Sequence, residues 1–148
     1  MVHTDDVAWF QAYFDWGGLL AQGVLEPLHR GEAVHFTPPA WAPNGKEGAI
    51  TVPAGLEAVW VEGTGVIRRE LAPWIDASIY VQGDLDVQER RLVERDGDSP
   101  AIRDHIASWL QEELPFLLAE QPWQRATIVL NGTSQLTHDP SIEVVIAS

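Results

Sequence analysis

The sequence predicts an α/β protein with a mostly parallel sheet and helices on both faces. Short apolar runs bounded by glycine alternate with longer stretches of helical periodicity. That alternation is typical of parallel strands joined by crossover helices. Because the chain has 148 residues, 45% of them apolar, it is long enough for a sizeable core. We therefore expect residues 1–148 to form a single domain.

Three signals divide the first 55 residues. Apolar side chains spaced about four apart indicate a helix that Asp15 caps and Gly31 ends. A stretch rich in proline and glycine follows, which indicates a loop. The predicted elements are a strand end at residues 1–4, a helix at 16–29, and a loop at 37–55 that holds a short strand at 49–52.

Beyond residue 55, apolar runs alternate with helical segments. Apolar runs of five to seven residues suit buried strands. Gly97 follows a charged stretch and suits a helix end, and Pro115 is expected to kink the longest helix. We predict strands at 56–62, 77–81, 126–130 and 142–147, and helices at 68–74, 86–96 and 100–121.

Composition and charge exclude several classes of function. The chain has no cysteine, which excludes disulfides and thiolate metal sites, and its five histidines show no metal-binding spacing. A formal charge of -13 would repel nucleic acid and anionic lipid, so we expect neither as a partner. No apolar run approaches the ~20 residues that span a bilayer, and the first residues do not resemble a signal peptide. We therefore expect a cytoplasmic protein.

An acidic pair followed by aromatic residues is the first candidate site. Asp5 is the candidate general base, because its carboxylate could take or orient the proton of a hydroxyl acceptor, with Asp6 beside it. The alternative is that the pair ends a strand or caps the next helical turn. Trp9 and Phe10 could form a pocket in which a ring of the substrate stacks, or they could be plain core.

A strand-end acid and two arginines are the second candidate group. Glu62 would point into the ligand crevice of an open α/β sheet, or it would stabilise the start of a following helix. Arg91 and Arg95 carry the guanidinium fork that matches phosphate oxygens. The alternative for these arginines is a solvated helix face, on which Glu89 and Glu94 pair with them.

Four motifs, taken in order, resemble the uridine kinase-like branch of the P-loop nucleoside and nucleotide kinases. The resemblance covers roughly residues 2–132. HTDD followed by an aromatic pair is similar to the family's Asp-Asp strand end, and VEGTG is similar to its V-E-G strand end. RRLVERD is similar to the start of its lid, and ATIVL to its final strand. These motifs lie at 3–10, 61–65, 90–96 and 126–130.

The resemblance implies a P-loop kinase-like fold and a role for each candidate residue. It implies phosphoryl transfer from ATP, with Mg²⁺, to a hydroxyl of a nucleoside or similar small molecule. It places a lid-like segment at residues 90–105. The implied roles are catalysis for Asp5, Arg91 and Arg95, and substrate binding for Asp6, Trp9, Phe10 and Glu62, with Glu62 also holding the metal through a water.

One part of the family pattern is absent from this sequence. No G-x-x-x-x-G-K-[ST] loop occurs, and Lys46 cannot replace it because Ala40 and Glu47 stand where the loop needs glycine and a hydroxyl. Losing a central strand would remove several buried side chains of about 1.5–3 kcal/mol each, which rivals a net stability of ~5–15 kcal/mol. Either the sequence is a fragment, or another strand such as 142–147 takes the position, or a second copy completes a homodimer. We expect little or no ATP turnover by this polypeptide alone.

Two other functions stay open on the sequence alone, so its status as an enzyme is open too. An acidic, cysteine-free chain with seven tryptophans also suits a protein-binding module, such as an immunity-type inhibitor of a basic toxin. A non-catalytic pseudokinase that keeps the fold and binds a ligand is the third.

Overall fold

The computed structural model describes residues 1–146, which form a mixed α/β structure of short strand pairs and helices. The chain divides into two compact units, Met1–Asp76 and Ala77–Ser148. Its described strands form three two-stranded sheets, two of them parallel and one antiparallel. The predicted parallel pairing is therefore present, but the described strands form separate two-stranded sheets rather than one sheet. The single domain over residues 1–148 stays a prediction.

The first unit contains one parallel and one antiparallel strand pair around a central helix. β1 pairs with β4 in parallel, and β2 pairs with β3 in an antiparallel hairpin. Its strands are β1 (Val2–His3), β2 (Val34–Phe36), β3 (Ile50–Val52) and β4 (Val61–Glu62). Its helices are α1 (Thr4–Ala8), α2 (Gly17–Leu20) and α3 (Glu26–His29), with a π-helical turn at Ala21–Leu25 and 3₁₀ turns at Ala42–Asn44 and Ala72–Trp74.

The helix predicted at 16–29 is confirmed, but its start and its middle differ from the prediction. Trp16 holds the N-cap position and no side chain caps the helix, so the assignment of Asp15 was wrong. Pro27 lacks the N–H that an α-helix would use here, and the wider π-helical turn comes directly before it in the chain. Gly31, at φ +74°, follows the end of the helix as predicted.

The core of the first unit lies between this helix and the strands. The helix contributes a stripe of apolar side chains, and Trp16 anchors its start by donating from Nε1 to the carbonyl of Tyr13 at 2.9 Å. The buried core residues are Val2, Val7, Trp16, Leu20, Ala21, Val24, Leu25, Val34, Trp41, Ile50, Val52 and Leu71.

Two predictions for the first unit were wrong in extent. The strand predicted at 56–62 forms only at Val61–Glu62, and Leu56 and Trp60 are 51% and 58% exposed. The reason is that β1 offers only two paired positions, so the pairing before β4 goes no further than the carbonyl of Trp60, which accepts from the amide of Val2 at 2.8 Å. The helix predicted at 68–74 is only the 3₁₀ turn Ala72–Trp74. The short strand predicted at 49–52 is confirmed as β3.

The second unit consists of one parallel strand pair and three helices. β5 (Ile79–Gln82) pairs in parallel with β6 (Ile128–Asn131). The helices are α4 (Leu85–Asp96), α5 (Pro100–Glu120) and α6 (Pro122–Arg125). Both long helices confirm their predictions, and Gly97 is the predicted helix end, whereas the Ser99 cap is a further finding. Gly97 ends α4 at φ +100°, and Ser99 Oγ caps α5 by accepting from the amide of Ile102 at 3.3 Å.

The strands of the second unit are not buried as predicted. Ile79 is 41% exposed and Val81 58%, because a two-stranded sheet leaves its faces without the cover that a larger α/β sheet has. The strand predicted at 142–147 is reduced to a single antiparallel bridge between Leu130 and Ile146, and residue 147 lies outside the described part. Within residues 1–146, none of the helices combines the length and apolar composition that a bilayer crossing requires.

Candidate functional site

The acidic pair lies in a helix rather than at the end of a strand. α1 begins at Thr4, immediately after β1, so Asp5 and Asp6 occupy its first turn. Carboxylates are favourable there because the unsatisfied N–H groups give this end of a helix a partial positive charge. This is the helical alternative that the sequence left open. Asp5 is exposed, whereas Asp6 is partly buried.

Glu62 lies at the same sheet edge as the start of α1. β1 and β4 run in parallel with His3 opposite Glu62, and the imidazole Nδ1 of His3 contacts the Glu62 carboxylate. Since parallel strands end at a common edge, this pairing brings Glu62 to the edge from which α1 and Asp5 continue. The Glu62 side chain is 47% exposed, so it remains open to a ligand from solvent.

A glycine fixes the close approach of the two strand ends. Gly63 has φ +137°, and a Cβ atom there would lie 1.8 Å from Oγ1 of Thr4, whose side chain is buried. Any larger residue would therefore push the end of β4 away from the first turn of α1. The G of the V-E-G motif thus has a packing reason in this fold.

Asp6 belongs to a group that we call the ammonium cluster: Asp6, Trp9, Trp41 and Lys46. The Nζ atom of Lys46 lies 3.1 Å from Oδ1 of Asp6. It also lies 4.1 Å from the centre of the Trp9 ring and 3.8 Å from that of Trp41. The chain's only lysine is thus held by one carboxylate and two aromatic faces.

Backbone contacts hold the inner wall of the ammonium cluster. Trp41 is 4% exposed, and its Nε1 donates to the carbonyl of Asp6 at 2.8 Å. The amide of Lys46 donates to the carbonyl of Trp41 at 3.0 Å. The loop at 37–55 is therefore tied to α1, a connection that the sequence analysis missed.

Trp9 and Phe10 are surface residues, which excludes the core alternative for them. Their rings stack with centres 5.4 Å apart and an interplanar angle of 11°. Trp9 is 53% and Phe10 47% exposed. Phe10 also has φ +67°, an uncommon conformation for an aromatic residue that turns the chain at the end of α1. The pair presents an open aromatic surface beside the acidic turn.

The two candidate arginines belong to α4 in the second unit. Both are exposed, and Arg95 donates from Nε and Nη2 to the carboxylate of Asp96 at 2.7 Å each. This hydrogen bonding lowers the pKa of Asp96. Asp96 is thus one local carboxylate partner of Arg95. A role for Arg91 and Arg95 in a lid at 90–105 stays a prediction.

The described carboxylates do not fit a magnesium site by themselves. Across residues 1–146 no three acidic or imidazole groups lie close enough together to ligate a metal. Asp6 pairs with Lys46, and Glu62 contacts His3. Mg²⁺ normally takes one or two carboxylates together with substrate phosphates, and this sequence has no phosphate-binding loop.

No protein-family model matches the chain, and a search of curated proteins found no significant match. The assignment of function therefore depends on the residues and their geometry.

Proposed function

We propose that this chain is the acceptor-binding part of a small-molecule kinase related to the uridine kinases. Its role is to bind a nucleoside or similar small molecule and to orient the hydroxyl that receives the phosphoryl group. The observation that carries the proposal is the parallel pairing of β1 with β4, in the register His3 opposite Glu62. Ligands of open α/β proteins bind outside the carboxyl ends of parallel strands, and both candidate acids lie at that edge.

Each residue at this edge has a role that follows from its environment. Asp5 is exposed, and its carboxylate can only accept, which suits a group that takes or orients the proton of a hydroxyl. Trp9 and Phe10, stacked on each other and about half exposed, offer an aromatic surface for stacking a base. Glu62, oriented by His3, accepts hydrogen bonds from further hydroxyls of the acceptor.

Asp6 has a different role in this proposal from the one that the sequence implied. Its carboxylate faces Lys46 and its carbonyl accepts from Trp41. We assign it to holding the loop at 37–55 against α1, which orients Trp9 for the acceptor.

In this proposal, ATP only supplies the phosphoryl group, and Mg²⁺ only neutralises its charge. The sequence has no phosphate-binding loop, and residues 1–146 offer no group of three metal-ligating side chains, so we assign this chain no step that involves them. Arg91 and Arg95 remain the proposed lid residues, because a guanidinium stays charged and matches phosphate oxygens. A kinase-like fold, a cytoplasmic location and completion by a second copy belong to the same proposal.

The test is binding of a nucleoside panel, followed by tryptophan fluorescence or by NMR of the indole N–H groups. We expect saturable binding of at least one nucleoside, weakened about ten-fold or more by Asp5→Asn. Asp15→Asn is the matched control, since Asp15 is also an exposed acid of the first unit. Absence of nucleoside binding, or equal weakening by both variants, would contradict the proposal. Robust phosphorylation on adding Mg-ATP would contradict the expectation that this chain alone does not turn over.

An acidic protein-binding module is the second candidate. The formal charge of -13, together with exposed aromatic residues such as Trp60 at 58%, suits a basic protein partner. Titration with a basic nuclease toxin distinguishes the two. Tight binding that weakens with salt and survives Asp5→Asn favours the module.

A further inference from the structure

The ammonium cluster has the composition of a binding site for a cation. Two indole faces and one carboxylate surround a single Nζ atom, at 4.1, 3.8 and 3.1 Å. Aromatic faces with a nearby acid are how proteins recognise ammonium and quaternary ammonium groups. Because the protein carries a formal charge of -13, its overall field also favours a positively charged ligand.

The walls of the ammonium cluster differ in how firmly they are held. Trp41 is buried and hydrogen-bonded to the backbone of Asp6, so the inner wall is fixed. Trp9 is 53% exposed, so the outer wall opens to solvent. The inner wall is therefore held independently of the group that fills the site.

Lys46, whose side chain occupies the ammonium cluster, lies on a loop with little packing around it. Lys46 lies between Gly45 and Gly48, which have φ of +74° and +103°, and a Cβ atom at either glycine would meet nothing within 4 Å. The Lys46 side chain itself is 23% exposed. A lysine held this way can leave the cluster without disturbing the core.

We infer that Asp6, Trp9 and Trp41 form a binding site for an alkylammonium group, and that Lys46 occupies it as an intramolecular competitor. The ligand carries a methylated or quaternary ammonium, either as a free choline-like molecule or as a methylated lysine side chain. This site goes beyond the proposed kinase function and does not depend on it. Trp9 belongs to both the proposed nucleoside site and the alkylammonium site, so a Trp9 variant cannot tell them apart. Variants of Asp5 therefore test nucleoside binding, and variants of Lys46 test ammonium binding.

The tether makes a clear prediction about affinity. Because the Lys46 side chain is attached to the site through a short loop, it competes with a free ligand at an effective concentration in the millimolar range or above. The wild-type protein should therefore bind a free alkylammonium ligand weakly. Removing the occupant removes the competition. We expect Lys46→Ala to bind tetramethylammonium about ten-fold or more tightly than the wild type does.

The first experiment titrates Lys46→Ala with tetramethylammonium, choline and the amide of N-acetyl-trimethyllysine. NMR of the indole N–H groups of Trp9 and Trp41 provides the readout. Glu47→Ala is the control, because it changes a neighbouring exposed residue and leaves Lys46 in place. It should bind as weakly as the wild type. Trp9→Ala added to Lys46→Ala should abolish binding. Comparing choline with trimethyllysine amide identifies which source of the ammonium the site prefers.

The second experiment uses the wild-type protein and needs no variant to fold. Lys46 is the chain's only lysine, so reductive methylation with ¹³C labels it and the N-terminal amine alone. Between two indole faces, the methyl signal of Lys46 should lie upfield of its position in the unfolded chain. Added tetramethylammonium should move the signal towards the unfolded position as it displaces the side chain. A signal that does not move, or saturation equally weak in Lys46→Ala and wild type, would overturn the inference.

Discussion

The two units of this protein bury their apolar side chains very differently. The first unit gathers twelve residues, from Val2 to Leu71, into one buried core. Among the large apolar residues of the second unit that the structure describes, up to residue 146, only Ile106 is buried. Many others there are exposed: Ile79, Val81, Leu85, Leu114, Leu118, Ile128, Leu136, Ile142, Val144 and Ile146.

This difference separates strand pairing from burial as sources of stability. Both units contain a parallel strand pair, and the pair of the second unit is the longer of the two. In the first unit, an apolar helix face packs against the strands within one buried core. Since burial is the main favourable term in folding, we expect the first unit to hold most of the hydrophobic stability. The second should depend on its helices and backbone hydrogen bonds.

Leu20→Ala should have the largest effect on stability. Leu20 is fully buried, and truncating such a side chain typically costs about 2–5 kcal/mol. Leu118→Ala in the second unit is the matched control, because Leu118 is 71% exposed and the change should stay within about 0.5 kcal/mol. Urea unfolding followed by circular dichroism measures both. Similar losses from the two variants would break the comparison.

Gly63→Ala should have the next largest effect. The variant residue would keep φ +137°, at a backbone cost of about 1–3 kcal/mol, and its Cβ atom would also meet Oγ1 of Thr4, so we expect a total at or above the upper end of that range. Gly97→Ala in the second unit is the control. Gly97 has φ +100°, but the nearest atom to an added Cβ is 3.5 Å away, so only the backbone cost of about 1–3 kcal/mol applies. Thermal unfolding of both variants measures the difference, and equal costs would show that the contact with Thr4 is unimportant.

Ile106→Val should have a smaller effect that is confined to the second unit. Ile106 is 4% exposed, and losing one buried methylene there should cost about 0.5–1.5 kcal/mol. Ile142→Val is the control, because Ile142 is 82% exposed. Hydrogen exchange of the amides in α5 reports on the second unit directly. No change in exchange would mean that Ile106 does not anchor it.

The helices could be predicted from the sequence because their signals are local. The apolar spacing at 16–29 lies within the helix that it specifies, and the glycine after Asp96 lies directly beside its helix. The burial of the strands could not be predicted this way. An apolar run such as 77–81 has the same appearance whether a neighbouring layer covers it or not, and that layer is distant in sequence.

The candidate site was predictable only in part for a related reason. The candidate acids and aromatics at residues 5–10 are neighbours in sequence, so their grouping was visible. The contacts of Asp6 with Trp41 and Lys46 bridge 35 and 40 residues. No local pattern links these positions. The only signal was a single lysine in a chain with seven tryptophans, inside a stretch whose composition indicated a loop.

Glu113→Gln should have the smallest effect, and the size of that effect should depend on pH. Burial raises the pKa of Glu113 above its ordinary 4.5, and the hydrogen bond from Nε1 of Trp109, at 3.1 Å, partly opposes this. A raised pKa means that the folded state binds the proton more tightly. Stability is then fully present below about pH 4.5 and is lost as the pH rises through the folded pKa.

The Gln variant removes this titration, so it should melt higher than the wild type at pH 7 and show no gain near pH 4. Melting temperatures measured across this range test the expectation. Glu112→Gln is the matched control, since it makes the same change of charge at an exposed position of the same helix. If Glu113→Gln behaved like this control, the side of α5 that carries Glu113 would be solvated even in the folded state. The second unit would then bury still less than its structure indicates, and the contrast with the first unit would be sharper.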